Sequence, residues 1–203
     1  MFSGIIEITG LVKDKVKHGS GIAFQVETAD KNFLKGIKPG SSIAINGACM
    51  TVEKIQKNNF EFTTIKESLS KTNLGLLEKG NYVNLEKPLQ LNSFIDGHLV
   101  QGHIDTTGKI EKIKDVKQSR EYFISFSKKF KNFIIYTGSI TINGTSLTIA
   151  EIAKEGKKNI TVKVAMIPYT LEHTIFKYNK EKDVVNIEFD MVGKYISKNL
   201  NKK

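Results

Sequence analysis

The sequence predicts an all-β protein with two similar halves, each of which is a small antiparallel barrel or sandwich. Three blocks of sequence recur in the same order about one hundred residues apart, which indicates an internal duplication. Short segments that alternate apolar and polar residues fill each half, and an Asn-Gly pair lies in the middle of both. Closing each sheet into a barrel would remove its free edges.

The internal repeat is carried by three pairs of segments that share residue type and order: 4–10 (GIIEITG) with 102–108 (GHIDTTG), 42–52 (SIAINGACMTV) with 139–149 (SITINGTSLTI), and 83–86 (VNLE) with 185–188 (VNIE). The offset drifts by only a few residues between the pairs. Chance matches would not keep their order, so the blocks indicate a duplicated domain. Small changes in loop length explain the drift.

The predicted strands of the first half surround the pair Asn46-Gly47. Residues 42–45 and 50–55 flank this pair, and Asn-Gly adopts positive φ readily, so a hairpin is expected there. Residues 60–65 alternate, and residues 82–85 close the half. The counterparts in the second half are the pair Asn143-Gly144 and the segments 160–166 and 184–187.

Three helices are predicted. Residues 66–77 follow a strand, and their counterpart begins at Pro168, which suits a first helical turn. In residues 191–201, the apolar residues are spaced three to four apart, as expected for an amphipathic terminal helix: Val192, Tyr195, Ile196 and Leu200. Periodicity alone does not decide whether this helix packs on a partner subunit or on its own barrel.

The composition is that of a globular protein, with 39% hydrophobic and 26% charged residues, which excludes a disordered chain. No apolar run approaches the roughly 20 residues that a membrane span needs, and the N-terminus lacks the pattern of a signal peptide. The single cysteine, Cys49, cannot form an internal disulfide. We therefore expect a cytoplasmic protein with no membrane contact.

The net charge of +10 raises the alternative of a nucleic-acid-binding barrel. Of the 31 basic residues, one is arginine, Arg120, although arginine is the residue that best recognises bases and phosphates in a bidentate manner. The aromatic residues are dispersed through apolar strands and are not interleaved with lysines. We interpret the charge as a solvated surface and predict no nucleic-acid partner.

The two halves carry different residues at some equivalent positions, as expected if they divide a function. Cys49 corresponds to Ser146, and Ile5 corresponds to His103. Taken singly, a buried thiol and a strand serine are the commoner roles, although a thiol beside a cation can be a nucleophile. His98 and His103 do not predict a metal site, because they would point to opposite faces of a strand and no cluster of Cys or acidic ligands accompanies them.

Several long segments, in the correct order, resemble the riboflavin synthase α-chain family over essentially the whole chain. The segments that carry the resemblance are 1–7 (MFSGIIE), 42–52, 97–105 (GHLVQGHID), 138–148 (GSITINGTSLT) and 167–171 (IPYTL). The resemblance implies two six-stranded Greek-key barrels followed by a C-terminal helix, through which a homotrimer assembles. We expect the first barrel in residues 1–97, the second in 98–190, and the oligomerisation helix in 191–203.

The resemblance also implies an activity. Two molecules of 6,7-dimethyl-8-ribityllumazine bind in one site, and a four-carbon unit passes from one to the other. The products are riboflavin and 5-amino-6-ribitylamino-uracil, and neither a metal nor a redox cofactor is implied. A non-catalytic lumazine- or flavin-binding protein of the same fold is the alternative, and a surrounding shell of lumazine synthase is left open.

Catalytic roles are expected for three residues. His103 would transfer a proton, while Cys49 and Ser146 would add to the ring or activate the water or hydroxyl that does. In the family, the N-terminal barrel of one subunit faces the C-terminal barrel of a neighbour, which places Cys49 and Ser146 of different chains in one site.

The residues expected to bind the ligands form two sets. The set in the first half is Gly4, Ile5, Ile6, Ser42, Met50, Thr51, Thr63, Thr64, Ile65, Lys66, Glu67 and Ser68. The set in the second half is Gly102, Ile104, Leu147, Thr148, Ala165, Met166, Ile167, Pro168, Tyr169, Thr170 and Asp190. We assign each glycine segment to the pocket of its own half, so that residues 4–6 join Cys49 and residues 102–104 join Ser146.

The sequence departs from the family pattern at two positions. Thr137 stands where the family often has Lys, so a pocket cation is missing there. Asn143 stands where the family often has Asp, which removes one carboxylate. We expect both changes to affect the rate more than the choice of ligand.

Overall fold

The computed structural model describes residues 1–200. The strands of the first half are β1 (Ile8–His18), β2 (Gly21–Thr28), β3 (Ser42–Ile45), β4 (Ala48–Thr51), β5 (Lys54–Gln56), β6 (Asn59–Thr64) and β7 (Tyr82–Glu86). Those of the second half are β8 (Thr106–Val116), β9 (Ser119–Ser127), β10 (Ser139–Ile142), β11 (Thr145–Glu155), β12 (Asn159–Met166) and β13 (Val184–Phe189). The helices are α1 (Lys66–Lys71), α2 (Pro168–His173) and α3 (Met191–Leu200).

The second half is a closed barrel in which six antiparallel strands follow the order β10-β11-β12-β9-β8-β13. The first half has the order β4-β3-β7-β1-β2-β6-β5, because the long strand β11 corresponds to two short strands, β4 and β5. The chain leaves the ladder at residues 52–53 between them, where Glu53 N–H still donates to Glu61 O at 2.8 Å. The predicted all-β fold with two duplicated halves and a C-terminal helix is confirmed, with the first barrel interrupted at this point.

Each half buries its own apolar core, because the alternating strands turn every second side chain inwards. Phe24, Phe60 and Phe62 lie in the first core, and Tyr122 and Ile124 lie in the second, all at most 1% exposed.

The two Asn-Gly turns meet at the junction between the halves. Asn46 and Asn143 both have φ of 46°, and the following glycines have φ of 80° and 81°, so the hairpin predictions are confirmed. A Cβ added to Gly47 would lie 2.6 Å from Gly144 N, which shows how closely the turns approach. No other residue type would allow this contact without a shift.

Buried asparagines join the halves across these turns. Asn84 Nδ2 donates to Asn143 O at 2.8 Å, and Asn186 Nδ2 donates to Asn46 O at 2.9 Å. Both Asn84 and Asn186 are completely buried. Because they are equivalent residues, the two hydrogen bonds form a pseudo-twofold pair that fixes one half on the other.

The helices follow the predictions in part. The helix expected over residues 66–77 ends at Lys71 and continues as a 3-10 turn at Asn73–Leu76, because Thr72 is extended and its hydroxyl accepts from Leu74 N–H. Helix α2 begins at Pro168 as expected. Residues 201–203 of the predicted terminal helix lie outside the described residues, and the division at residue 97 stays a prediction.

Candidate active site

Two extended segments cross between the halves and carry the predicted glycines. Phe2 and Val100 exchange both backbone hydrogen bonds, at 2.7 and 3.0 Å, so residues 2–4 run antiparallel to residues 98–100. Past this crossing, Ser146 N–H donates to Gly4 O at 2.7 Å, and Cys49 N–H donates to Gly102 O at 2.9 Å. Each glycine segment is therefore held by the opposite half of the chain.

This crossing corrects the expected grouping of the pockets. We assigned residues 4–6 to the pocket of Cys49 and residues 102–104 to that of Ser146, and that assignment is wrong. A Cβ on Gly4 would lie 2.7 Å from the Cβ of Ser146, and a Cβ on Gly102 would lie 2.6 Å from that of Cys49. Because the two segments pair with each other, each one extends beyond its own half and contacts the other half. An internal repeat does not indicate such an exchange.

Ser146 belongs to a polar cluster with His98 and Thr141, which we call the serine cluster. Its Oγ lies 2.7 Å from His98 Nδ1, and Thr141 Oγ1 lies 3.1 Å from His98 Nε2. Both ring nitrogens are thus engaged, which fixes the plane of the imidazole. Burial lowers the pKa of His98, against a smaller opposing effect of Asp190, so the ring is neutral near pH 7 and one nitrogen can accept a proton.

The equivalent cluster around Cys49 is apolar. Ala44 pairs with Cys49 across β3 and β4, where the second half pairs Thr141 with Ser146. Cys49 packs with Phe2, Ala44 and Val100, and its side chain is half-buried. The same position of the repeat therefore presents a thiol in an apolar setting in one half and a hydroxyl with a histidine in the other.

Two buried carboxylates hold the glycine segments in equivalent ways. Glu86 accepts from Ser3 N–H at 2.7 Å and from Gly4 N–H at 3.1 Å, while Glu188 accepts from Gln101 N–H at 2.7 Å and from Gly102 N–H at 2.9 Å. Burial raises the pKa of each carboxyl to about 7, although these hydrogen bonds lower it. Each glutamate is the last residue of the repeated block 83–86 (VNLE) or 185–188 (VNIE), so the two halves share this way of holding a glycine segment.

His103, the residue expected to transfer a proton, follows Gly102 directly and has an exposed side chain. Ile5, its equivalent in the first half, is 42% exposed. Thr51 and Thr148, which lie two residues after Cys49 and Ser146 on the same strands, are also exposed. In the single chain, these four side chains are accessible to a ligand or to a second copy of the chain.

The remaining predicted ligand residues lie at the ends of strands and the starts of short helices. Thr63, Thr64, Ala165 and Met166 end β6 and β12, and the segments 65–68 and 167–170 begin α1 and α2. Several of these side chains serve the fold: Met50, Leu147 and Met166 pack in the cores, and Thr64 Oγ1 donates to Ile22 O at 3.0 Å. Asp190 accepts from Val192 N–H at 2.9 Å at the start of α3.

The two departures from the family pattern fall in different surroundings. Thr137 is exposed, with φ of 61°, in the turn before β10. Asn143 is completely buried, and its Oδ1 accepts from Asn186 N–H at 2.8 Å and Asn73 Nδ2 at 3.1 Å, while its own Nδ2 has no partner among the described residues. An acceptor is needed at this position, which either Asn or Asp supplies.

A cavity of about 560 Å³ opens on the side of the asparagine junction, between residues such as Tyr82 and Tyr178. None of the predicted site residues lines it. Of the predicted residues, Gly4 lies against Ser146 and Gly102 lies against Cys49.

Sequence reasoning missed His98, Glu86 and Glu188 as site residues. The sequence predicts no metal site at His98, and the contact of His98 with Ser146 depends on the crossing of segments far apart in the chain. The two glutamates were visible as an acidic residue repeated at the end of an apolar block. This repetition is the sequence signal that could have identified them.

Comparison with known proteins gives one family. The sequence profile of the lumazine binding domain matches residues 3–88 and again residues 101–190. The chain is 39% identical over 204 residues to riboflavin synthase from Actinobacillus pleuropneumoniae, covering 100% of this chain and 91% of that protein. It is 36% identical over 191 residues to riboflavin synthase from Escherichia coli strain K12, covering 94% and 87%.

A solved structure shares the fold at lower identity. LumP in complex with 6,7-dimethyl-8-(1'-D-ribityl) lumazine superposes with a TM-score of 0.82 at 23% identity, covering 93% of this chain and 99% of that chain. Within residues 1–200, no helix has both the length and the apolar character to cross a membrane.

Proposed function

The chain belongs to the riboflavin synthase family, and we propose that it catalyses the dismutation of two molecules of 6,7-dimethyl-8-ribityllumazine. One molecule gives up a four-carbon unit and leaves as 5-amino-6-ribitylamino-uracil. The other accepts the unit and leaves as riboflavin. The reaction is a transferase reaction between two copies of one compound.

One observation supports this proposal most directly: the two halves present unequal chemistry at equivalent positions. The serine cluster offers a hydroxyl, a neutral imidazole and a second hydroxyl, whereas Cys49 lies among apolar side chains. Two copies of one ligand that must play different parts, donor and acceptor, need two similar pockets with different reactive groups. A duplicated barrel supplies both.

The expected residue roles follow from this arrangement. One ring loses a proton from its 7-methyl group, and the carbanion is delocalised into the ring system. We propose that His103, whose exposed side chain follows the Gly102 carbonyl that accepts from Cys49 N–H, transfers this proton. His98 accepts the proton of Ser146 Oγ, so that the serine or a water beside it can add to the ring.

The ligands themselves carry much of the chemistry, and the protein must orient them. Holding two rings face to face supplies effective concentration, and fixed hydrogen-bond donors stabilise the anion. Thr51 and Thr148 lie exposed beside Cys49 and Ser146, where they can bond to ring polar atoms. Asp190 and Thr170 complete the proposed binding groups, and the proposal uses no metal or redox cofactor.

We further propose a cytoplasmic homotrimer in which the first barrel of one chain faces the second barrel of its neighbour. The exposed side chains of α3 support assembly, because Val192, Tyr195 and Ile196 lie on one side of the helix and are 54–61% exposed. Each complete site would then combine Cys49 of one chain with Ser146 of another. A shell of lumazine synthase around the trimer would be an additional partner.

The test is to mix the purified protein with 6,7-dimethyl-8-ribityllumazine alone and to follow both compounds by absorbance. We expect riboflavin to form at half the rate of substrate loss, with no added cofactor. Tight binding of the substrate without turnover would contradict the proposal and would make the protein a ligand carrier, like a lumazine-binding protein.

A further inference from the structure

An ion pair joins helix α3 to the second barrel. Lys194 Nζ lies 2.9 Å from Asp105 Oδ2 and 3.2 Å from Oδ1, and both side chains are only 20% exposed. Asp105 also accepts from Phe189 N–H at 2.9 Å, and its own N–H donates to Ile187 O at 3.0 Å. The partly buried ion pair therefore joins the helix to the start of β8 and the end of β13.

Asp105 ends the short segment that carries His103. At the other end of this segment, Glu188 accepts from Gln101 N–H and Gly102 N–H, and Gly102 O accepts from Cys49 N–H. The segment is thus fixed on both sides of His103. On the N-terminal side, Glu188 accepts hydrogen bonds from its backbone, and on the C-terminal side Asp105 forms the ion pair with α3.

The first half builds the equivalent contact without a helix. Glu7 occupies the position of Asp105, and it accepts from Lys87 N–H at 2.8 Å, as Asp105 accepts from Phe189 N–H. In the first half, Lys87 supplies both the backbone N–H and the cation, since its Nζ lies 3.2 Å from Glu7 Oε2. In the second half the strand-end residue is Phe189, which has no charge, and the cation comes from α3 instead.

We infer that Lys194 is a positioning residue that makes the placement of His103 depend on the docking of α3. The inference rests on the proposed function, because it concerns the proton-transfer residue of that reaction. The same helix exposes Val192, Tyr195 and Ile196 for assembly, so one side of α3 meets the neighbouring chain while Lys194 holds the His103 segment. Lys194 would thereby couple assembly through α3 to the geometry of the site.

The coupling predicts a specific loss when the cation is removed. Lys194→Met keeps the aliphatic stem of the side chain but removes the charge, so Asp105 keeps only its hydrogen bond from Phe189. We expect kcat to fall about tenfold, as for a misplaced catalytic group, with KM changed by less than about twofold. Lys194→Arg keeps the charge and should recover most of the rate.

The matched control is Lys198→Met, which makes the same substitution at an exposed lysine of the same helix. Three readouts are needed for each variant: the oligomeric state by sedimentation, the rate of riboflavin formation, and the imidazole signals of His103 by NMR. We expect Lys194→Met to assemble normally and to lose the single sharp His103 signal, and Lys198→Met to match the unmodified protein in all three.

Two results would overturn the inference. Either Lys194→Met keeps full activity and an unchanged His103 signal, or its losses are matched by Lys198→Met. If the unmodified protein forms no riboflavin, the proposed function fails separately. The His103 signal then decides the positioning role on its own, because it needs no turnover.

Discussion

Ser146 N–H donates a 2.7 Å hydrogen bond to the carbonyl oxygen of Gly4, so the first residues of the chain lie against this serine of the second barrel. The equivalent bond from Cys49 to Gly102 makes the same contact in the opposite direction. The two halves therefore exchange short segments, and Ser146 and Cys49 each contact a segment of the other half.

The close approach at Gly4 makes this residue intolerant of a side chain. In Gly4→Ala the added Cβ would lie 2.7 Å from the Cβ of Ser146, and φ of 77° adds strain. We expect the free energy of unfolding of Gly4→Ala to be about 1–3 kcal/mol lower than that of Gly40→Ala. We also expect Gly4→Ala to form riboflavin at least tenfold more slowly. Gly40→Ala is the control, because φ is 89° there and nothing lies within 4 Å. Equal stability and activity in both variants would contradict the contact.

Loss of His98 should remove the proton acceptor of Ser146. General acid–base groups contribute about 10²–10⁴-fold to rates, so His98→Gln should lower kcat by about 100-fold. Because burial lowers the pKa of His98, the acid limb of the unmodified pH–rate profile should fall below the usual histidine range. His18→Gln, at the exposed end of β1, should leave the rate unchanged. An active His98→Gln protein with an unaltered pH profile would exclude this role.

The buried carboxylate of Glu86 should make stability depend on pH. Burial raises its pKa from 4.5 to about 7, so the folded state binds more protons than the unfolded state between these values. Glu86 therefore contributes most below pH 4.5, and its contribution is lost as pH rises towards 7. In urea unfolding from pH 4.5 to 8, the free energy of unfolding of the unmodified protein should fall relative to that of Glu86→Gln, in which residue 86 does not titrate. A free energy that rises relative to that of the variant would show that the folded pKa is not raised.

The asparagine junction should be a main determinant of stability. Asn84 Oδ1 accepts from Ile175 N–H at 2.8 Å, and its Nδ2 donates to Asn143 O, so Asn84→Ala leaves two buried backbone groups of the second half without their partner. We expect a loss of about 1–3 kcal/mol for each buried group left unpaired. Asn92→Ala, in the exposed linker, should change the free energy of unfolding by less than about 0.5 kcal/mol. A small effect at Asn84 would mean that water replaces its partners.

The fold could be predicted from the sequence because its signals are local. Asn46 and Asn143 mark hairpin turns through their intrinsic tolerance of positive φ, and Pro168 marks the start of α2. The break between β4 and β5 could not be predicted, because residues 52–53 keep the apolar–polar alternation of a strand. The bend that interrupts it depends on pairing with β6.

The candidate site residues come from the sequence, but their grouping does not. The repeat and the family resemblance predict Cys49, Ser146 and His103, and the roles of these residues stay predictions. The exchange of segments depends on the pairing of Phe2 with Val100, which no local pattern indicates. For the same reason, His98 was not recognised as the partner of Ser146.

The central claim is that each reaction site combines the thiol half of one chain with the hydroxyl half of another. It is tested most directly by mixing two singly inactive variants, Cys49→Ala and Ser146→Ala, after dissociation and reassembly. In a ring of three chains mixed at random, about a quarter of the sites would regain both groups, and activity should recover to about that level. Mixed oligomers that form but make no riboflavin would contradict the claim.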